Sequence, residues 1–208
     1  GLPALRYTLA LILYPHLRKL ELVQRWLADE FVKALLGGQD SKLAFFLKHI
    51  QCDNAGCMAA INAWLDKEKE VNLSGKGENF GDAGAAALAQ ALQVNSTLET
   101  MVLWDSGIGD SGAQALGEAL KVNGTLQTLS LCSNGIGDMG AQTLCEALKV
   151  NGALHELDLC GNGIGPTGAQ ALGEALKVNG TLQMLGLESN AIGDTGAQAL
   201  GEALKVNG

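Results

Sequence analysis

The sequence predicts an α/β solenoid, with a curved parallel sheet inside, helices outside, and a small all-α region in front of the array. Three observations carry this. Four stretches repeat every 28 residues, and two of them, Gly112 to Gln127 and Gly168 to Gln183, are identical at all 16 positions. A fixed period of this length marks stacked structural units. The copies align as L-x-x-L-x-L-x-x-N-x-I-G-D-x-G-A-Q-A-L-x-E-A-L-K-V-N-G-T from Leu98, Leu126, Leu154 and Leu182. Within each copy the apolar period changes halfway from that of a strand to that of a helix.

In the first half of the unit Leu129 and Leu131 alternate with polar neighbours, as a strand with one buried face requires. After Gly137 the apolar residues Ala141, Leu144, Ala147 and Leu148 fall three and four apart, which makes the second half an amphipathic helix. Asp138 is placed to cap the start of that helix, and Asn151 with Gly152 to end it. Neighbouring strands pack about 4.8 Å apart and neighbouring helices about 8 to 10 Å, so the helices take the longer arc and the strands line a concave face.

Asn134, Asn162 and Asn190 recur where the strand turns toward the helix, and stacked amides there can satisfy freed backbone groups. Ser106 takes that place in the unit at Leu98 and interrupts the ladder. An atypical first unit precedes it: Val71 and Leu73 correspond to Met101 and Leu103, and Ser74 to Asn79 carries two extra residues. Its Gly75 and Gly77 do not form a phosphate loop, because no G-x-x-x-x-G-K-[ST] pattern occurs in the chain.

LxxLxLxxNxI followed by GDxGAQALxEAL resembles the ribonuclease-inhibitor type of leucine-rich repeat, found also in the sensor arrays of NACHT-type receptors and in Ran GTPase-activating proteins. The resemblance covers roughly Val71 to Gly208. It implies a leucine-rich-repeat solenoid, here residues 67–208 in about five 28-residue units, and it serves many partners.

The convex side scarcely varies between copies. Glu118, Glu146, Glu174 and Glu202 are each followed three residues later by Lys121, Lys149, Lys177 and Lys205, pairs suited to a solvated helix face. Variation concentrates at the outward strand positions: Thr100, Val102, Trp104 and Asp105; Thr128, Ser130, Cys132 and Ser133; Glu156, Asp158, Cys160 and Gly161; Met184, Gly186, Glu188 and Ser189. A row of fixed strands is a rigid platform for presented side chains. We therefore take Thr100, Val102, Trp104, Asp105, Ser130, Cys132, Glu156, Asp158, Cys160, Met184 and Glu188 as candidate partner-binding residues; drift after duplication is the competing explanation. Trp104 is an interface anchor or is covered by the N-terminal helices. Glu156, Asp158 and Glu188 on adjacent strands form an acidic patch whose complement is a basic segment.

Residues 1–66 read as a helical N-terminal domain or cap. A stripe of Leu17, Leu20, Leu27 and Phe31 gives a helix from about His16 to Leu36, stopped by Gly37 and Gly38, with Pro15 separating it from an apolar helix at Leu5 to Leu13. Asp40 or Ser41 caps a third helix through His49, and Asp53 or Asn54 a fourth through Asp66, with Ile61, Trp64 and Leu65 on its buried side. The last helix is placed to cover the open edge of the first repeat.

Net charge is −8, from 22 acidic and 14 basic residues. From Val71 onward the count is 14 acidic to 5 basic, which disfavours nucleic acid and anionic membranes. The apolar run Tyr7 to Tyr14 is too short to span a bilayer and lacks a cleavage site. Five cysteines without framework spacing point to a reducing, cytoplasmic compartment. The sequons at Asn72, Asn95, Asn123 and Asn179 point the other way, although three fall at helix ends that want Asn anyway.

Nothing in the sequence reads as an enzyme or calls for a cofactor. His49, Cys52 and Cys57 have unconvincing metal spacing and no fourth ligand. His155 points away from Glu156 and Asp158, and neither Cys132 nor Cys160 has a histidine beside it. The expected function is protein recognition or scaffolding on the concave face. The alternative, implied by the resemblance, is activation of a small GTPase, for which no residue-level match was found. The Gly start and the helix stop at Gly208 suggest a piece of a longer protein with more repeats, or self-association through the bare edge at Leu185, Leu187, Ile192 and Leu200. Five strands give a strip roughly 24 Å long, whose area falls below the about 800 Å² per partner of a standard interface.

Overall fold

The structure is a computed structural model that describes residues 61, 62, 65–75 and 80–207. Strands and helices alternate along it: β1 (Glu70–Asn72), α1 (Gly81–Leu92), β2 (Thr100–Val102), α2 (Asp110–Leu120), β3 (Thr128–Ser130), α3 (Asp138–Leu148), β4 (Glu156–Asp158), α4 (Pro166–Leu176), β5 (Met184–Gly186) and α5 (Gly193–Asn207). All strand pairs are parallel and the sheet runs in chain order from β1 to β5. The α/β solenoid expected from the sequence is therefore present.

Register follows the repeat. Thr100, Thr128, Glu156 and Met184 are lateral partners, as are Met101, Leu129, Leu157 and Leu185. From β1 to β2 the step lengthens, Glu70 pairing with Thr100, which accommodates the two extra residues of the first unit. The inward leucines and the small helix residues close one continuous core: Leu129, Leu131, Ile136, Leu144 and Leu157 are fully buried. Alanine and glycine on the helices keep adjacent units close. A Cβ on Gly140 would lie 2.7 Å from the Asp110 carboxylate and 2.8 Å from Ile136, so glycine is required there.

The segment before β1 is tied to the first unit. Ile61 and Leu65 are fully buried in the same core as Val71 and Leu73. Asn95 donates to the Asp66 carboxylate at 2.9 Å, and the Thr97 hydroxyl donates to the Leu65 carbonyl at 3.1 Å. The helices read from Leu5 to His49, and Trp64, lie outside the described residues.

Two local readings are corrected. Asp138 does not cap its own helix: the N-cap of α3 is Gly137, which has no side chain to offer. Asp138 is the first helical residue, and only a residue with extended backbone at the N-cap can fold its side chain back to the free amides. Its carboxylate instead accepts N–H from Gly165 and Gly168 at 2.8 Å each, capping the helix of the next unit. Asp82 does the same for Gly109 and Gly112, and Asp110 for Gly137 and Gly140. A carboxylate there also faces the positive end of the helix dipole. Pro166 replaces the aspartate in the fourth unit, so α5 receives no such cap from it.

Nor is Asn151 a simple helix stop, since neither it nor Gly152 has positive φ. Its buried amide donates to the carbonyls of Leu120 (2.7 Å) and Asn123 (2.9 Å) in the preceding unit, while its oxygen accepts from Ala153 and Leu154. Asn123, Asn179 and Asn207 repeat the donor pattern. This second ladder lies at the helix-to-strand turn, opposite the expected one. The expected ladder is also present: Asn134 donates to Leu103 and Leu131, and Asn162 to Leu131 and Leu159. Ser106, fully buried, serves as a shorter rung by donating to Leu73 and Trp104 carbonyls.

Truncating Leu129 or Leu157 to alanine is expected to cost roughly 2 to 5 kcal/mol in urea unfolding; a loss under about 1 kcal/mol would contradict this register. Pro166→Asp should restore a missing rung and raise stability by about 0.5 to 1.5 kcal/mol, the worth of a net hydrogen bond. A lower melting temperature in that variant would show that α5 cannot accept the cap.

Candidate functional site: the concave face

Alternation along each strand puts one residue into the core and the next onto the inner surface, and this assembles four lateral rows. The first is Glu70, Thr100, Thr128, Glu156 and Met184; the second is Asn72, Val102, Ser130, Asp158 and Gly186. Trp104, Cys132, Cys160 and Glu188 follow at the repeat spacing, then Asp105, Ser133, Gly161 and Ser189. The last row turns the chain out of the sheet through left-handed backbone, with φ of 49° at Asp105, 53° at Ser133, 64° at Gly161 and 56° at Ser189. Serine and aspartate accept this conformation only at a cost, a demand that periodicity does not reveal.

All eleven candidate residues lie on this face. Trp104, in the second unit, is 48% exposed and Met184, in the last, 60%. Asp105 and Glu188 are exposed, whereas Thr100, Val102, Ser130, Cys132, Glu156, Asp158 and Cys160 are half-buried among their neighbours. The five charged residues in these rows, Glu70, Asp105, Glu156, Asp158 and Glu188, are all acidic, and no Lys or Arg occurs among them. The lysines that cap the C-terminal ends of α2 to α4, Lys121, Lys149 and Lys177, sit on the outside, paired at 2.7, 2.7 and 2.6 Å to the glutamates one turn earlier.

Asp158 is the most constrained carboxylate. It accepts from the Ser130 hydroxyl at 3.2 Å and from the Cys160 N–H at 3.0 Å. It leans over Gly186, where a Cβ would lie 2.6 Å from its Oδ1 and 3.0 Å from the Cys160 sulfur. Glycine therefore leaves a notch on β5 walled by Asp158 and Cys160. Burial, and then the Asp158 carboxylate that the thiol donates to, push the Cys160 thiol up to about 11. A thiol so held is protonated at neutral pH and is a poor nucleophile. Cys145, in the core on α3, is pushed up to about 12, chiefly by burial. Cys132, Cys145 and Cys160 are all free thiols.

His155 lies on the rim with Glu99 and Gln127, beside the loop residues Thr97 and Thr125, and does not join Glu156 and Asp158. Among the described residues no three His, Cys, Asp or Glu side chains could hold a metal ion, and no helix is long and apolar enough to cross a membrane. His49, Cys52 and Cys57 lie outside the described residues. Sequence reading missed the aspartate caps and the second asparagine ladder, whose signal is the same polar residue at one place in successive units.

Parallel three-residue strands, a core of inward leucines and asparagines bridging successive units define the fold as an α/β leucine-rich-repeat solenoid. The Leucine Rich repeat family model matches residues 94–117, 122–145, 153–173 and 178–201. Among solved structures the chain is similar to leiomodin-1 actin-binding site 2, at 25% identity over 72% of this chain and 86% of that one, with a TM-score of 0.62. It is also similar in fold to the tropomodulin C-terminal domain of Caenorhabditis elegans, at 20% identity over 72% of this chain and 92% of that one, with a TM-score of 0.59. No curated protein sequence matches the chain.

A raised thiol pKa means a smaller thiolate fraction, so Cys160 should alkylate more slowly in the folded protein than in the urea-unfolded chain at mildly alkaline pH. Asp158→Asn removes the negative charge that holds the proton and should accelerate the reaction; an unchanged rate, followed by peptide mass spectrometry, would contradict the assigned cause.

Proposed function

We propose that the array, residues 67–208, is a protein-recognition module that binds a basic segment of its partner across the concave face, with residues 1–66 as a helical domain or cap. The observation that carries this reading is the sign of that face: every charged side chain in its four rows is acidic. Complementary charge steers association and selects partners, and the half-exposed Trp104 can stack on a guanidinium. Thr100, Val102, Ser130, Cys132 and Met184 supply the less polar contacts beside Asp105, Glu156, Asp158, Cys160 and Glu188.

The cytoplasm is the compartment we assign. Asn95, Asn123 and Asn179 are buried with their amides engaged between units, so these sequons have a structural reason. The free thiols agree with a reducing environment. A second reading is favoured by the likeness to leiomodin-1 actin-binding site 2, which covers 86% of that chain: the partner is actin. No feature of the described face favours a GTPase activator over these two, and a ribonuclease-inhibitor or NACHT-type context rests on the sequence resemblance alone.

The test is fluorescence anisotropy with an arginine-rich and a glutamate-rich peptide, alongside co-sedimentation with actin. The arginine-rich peptide alone should bind, weakly and with strong salt dependence. A Trp104→Ala, Asp158→Lys, Glu188→Lys variant with unchanged circular dichroism should lose at least about tenfold in affinity, roughly 1.4 kcal/mol. Equal binding of both peptides would end the basic-segment reading, and actin binding retained by the variant would place that site elsewhere on the molecule.

A further inference from the structure

The turns that carry a helix into the next strand share one pattern, G-T-L-Q, at Gly124 to Gln127 and again at Gly180 to Gln183. Two further turns depart from it, as S-T-L-E at Ser96 to Glu99 and as G-A-L-H at Gly152 to His155. All four departures, Ser96, Glu99, Ala153 and His155, line a single groove of about 350 Å³, with Gly124 and Gln127 between them. The groove lies within the stack, with β1 before it and β5 after it.

Several polar groups of the groove have no partner in the chain. The Nδ1 of His155 is buried and nothing pairs with it, a costly state for a ring nitrogen. Among the described residues nothing accepts from the amides of Ser96, Gly124 or Gly152, three exposed residues of the lining. A Cβ on Gly124 or Gly152 would meet nothing within 4 Å, so a second chain can approach this backbone closely. In the unit at Leu182 the Thr181 hydroxyl donates to the Asn151 carbonyl at 3.3 Å. Ala153, in the same place one unit earlier, has no hydroxyl and leaves that volume to the groove.

From this groove we infer a second binding site, for an extended, uncharged peptide segment of a partner protein laid across the rim of the array. Charge narrows the occupant. The carboxylate of the lining, Glu99, is already paired to Lys69 at 2.6 Å, and no Lys or Arg lines the groove, so neither an ammonium nor a phosphate is selected. Spacing then favours an extended chain. Along one edge of such a chain the carbonyls recur every second residue, at about 6.6 to 6.8 Å. The turns join helix ends spaced about 8 to 10 Å to strand starts spaced about 4.8 Å, so their amides recur at about 6 to 7 Å.

Alternate carbonyls of the segment thus meet the amides of Ser96, Gly124 and Gly152 in turn, as in the addition of a strand to an open edge. Its N–H groups face acceptors on Glu99, Gln127 and His155, whose Nδ1 accepts in the neutral ring with the proton on Nε2. Serine, threonine, asparagine and glutamine side chains match the hydroxyl and amide lining supplied by Thr97, Thr125 and Gln127. No concave-face residue lines the groove, so failure of this inference leaves the reading of that face standing.

Titration of the isotope-labelled whole chain, followed by NMR, tests the site with an end-blocked peptide of Ser, Thr, Asn and Gln about eight residues long, enough to span three units. Saturable shifts are expected at the Ser96, Gly124 and Gly152 amides and at the His155 ring nitrogens. The same peptide with its backbone N-methylated should bind at least about tenfold more weakly, because its donors are gone. The double variant Ala153→Thr, His155→Gln writes the neighbouring G-T-L-Q into this turn, so it folds, and it should weaken binding by about tenfold. No saturable shift at these groups with millimolar peptide would overturn the inference. So would shifts confined to the concave rows, equal binding of the N-methylated peptide, or a double variant that binds as the unaltered chain does.

Discussion

Buried asparagine amides between successive units are the interaction on which this structure depends. Strands of three residues are too short to hold a sheet by backbone pairing alone. At the helix-to-strand turn an asparagine such as Asn151 donates to two carbonyls of the preceding unit and accepts two amides of its own loop; at the strand-to-helix turn Asn134, Asn162 and Asn190 each donate to one carbonyl of the preceding unit and to others of their own. The groups they satisfy are ones that turns leave free and that burial would make costly. Two such ladders, one at each end of the strands, fix the rise and register of the stack. The aspartate caps add a third rung type on the helical side, wherever Pro166 does not interrupt them.

Legibility follows the range of the interaction. The strand, the helix and their burial faces were readable because alternation and the three-and-four spacing are local, and the two extra residues of the first unit reappear as the longer step from Glu70 to Thr100. Asp138 and Asn151 were misassigned because their partners lie 27 to 31 residues away, in a neighbouring unit. A reading confined to one repeat assigns such residues to the nearest helix end. The same limit applies to the site. Its eleven positions could be placed on the concave face by alternation, but not the fastening of Asp158 to Ser130 or the notch over Gly186.

The division of labour explains why the face is free to specialise. Leucine, alanine and glycine are consumed by the core and by helix contact, the asparagines by the ladders, and glutamate with lysine by the outer helix surface. Only the concave-face strand positions escape these duties. They differ most between copies, and the charge they collected is of one sign. Cys160 is held protonated and His155 is turned to the rim; a rigid, acidic, partly aromatic surface suits recognition.

The central claim is that the stack is held by its ladders, and the most direct test is Asn151→Ala followed by native-state hydrogen exchange. Removing this 6% exposed side chain leaves the Leu120 and Asn123 carbonyls and the Ala153 and Leu154 amides unpartnered. The account predicts a loss of at least about 3 kcal/mol, with amides of β3 and β4 losing protection together. A loss below about 1 kcal/mol, confined to the Asn151 loop, would mean that leucine packing alone sets the stack.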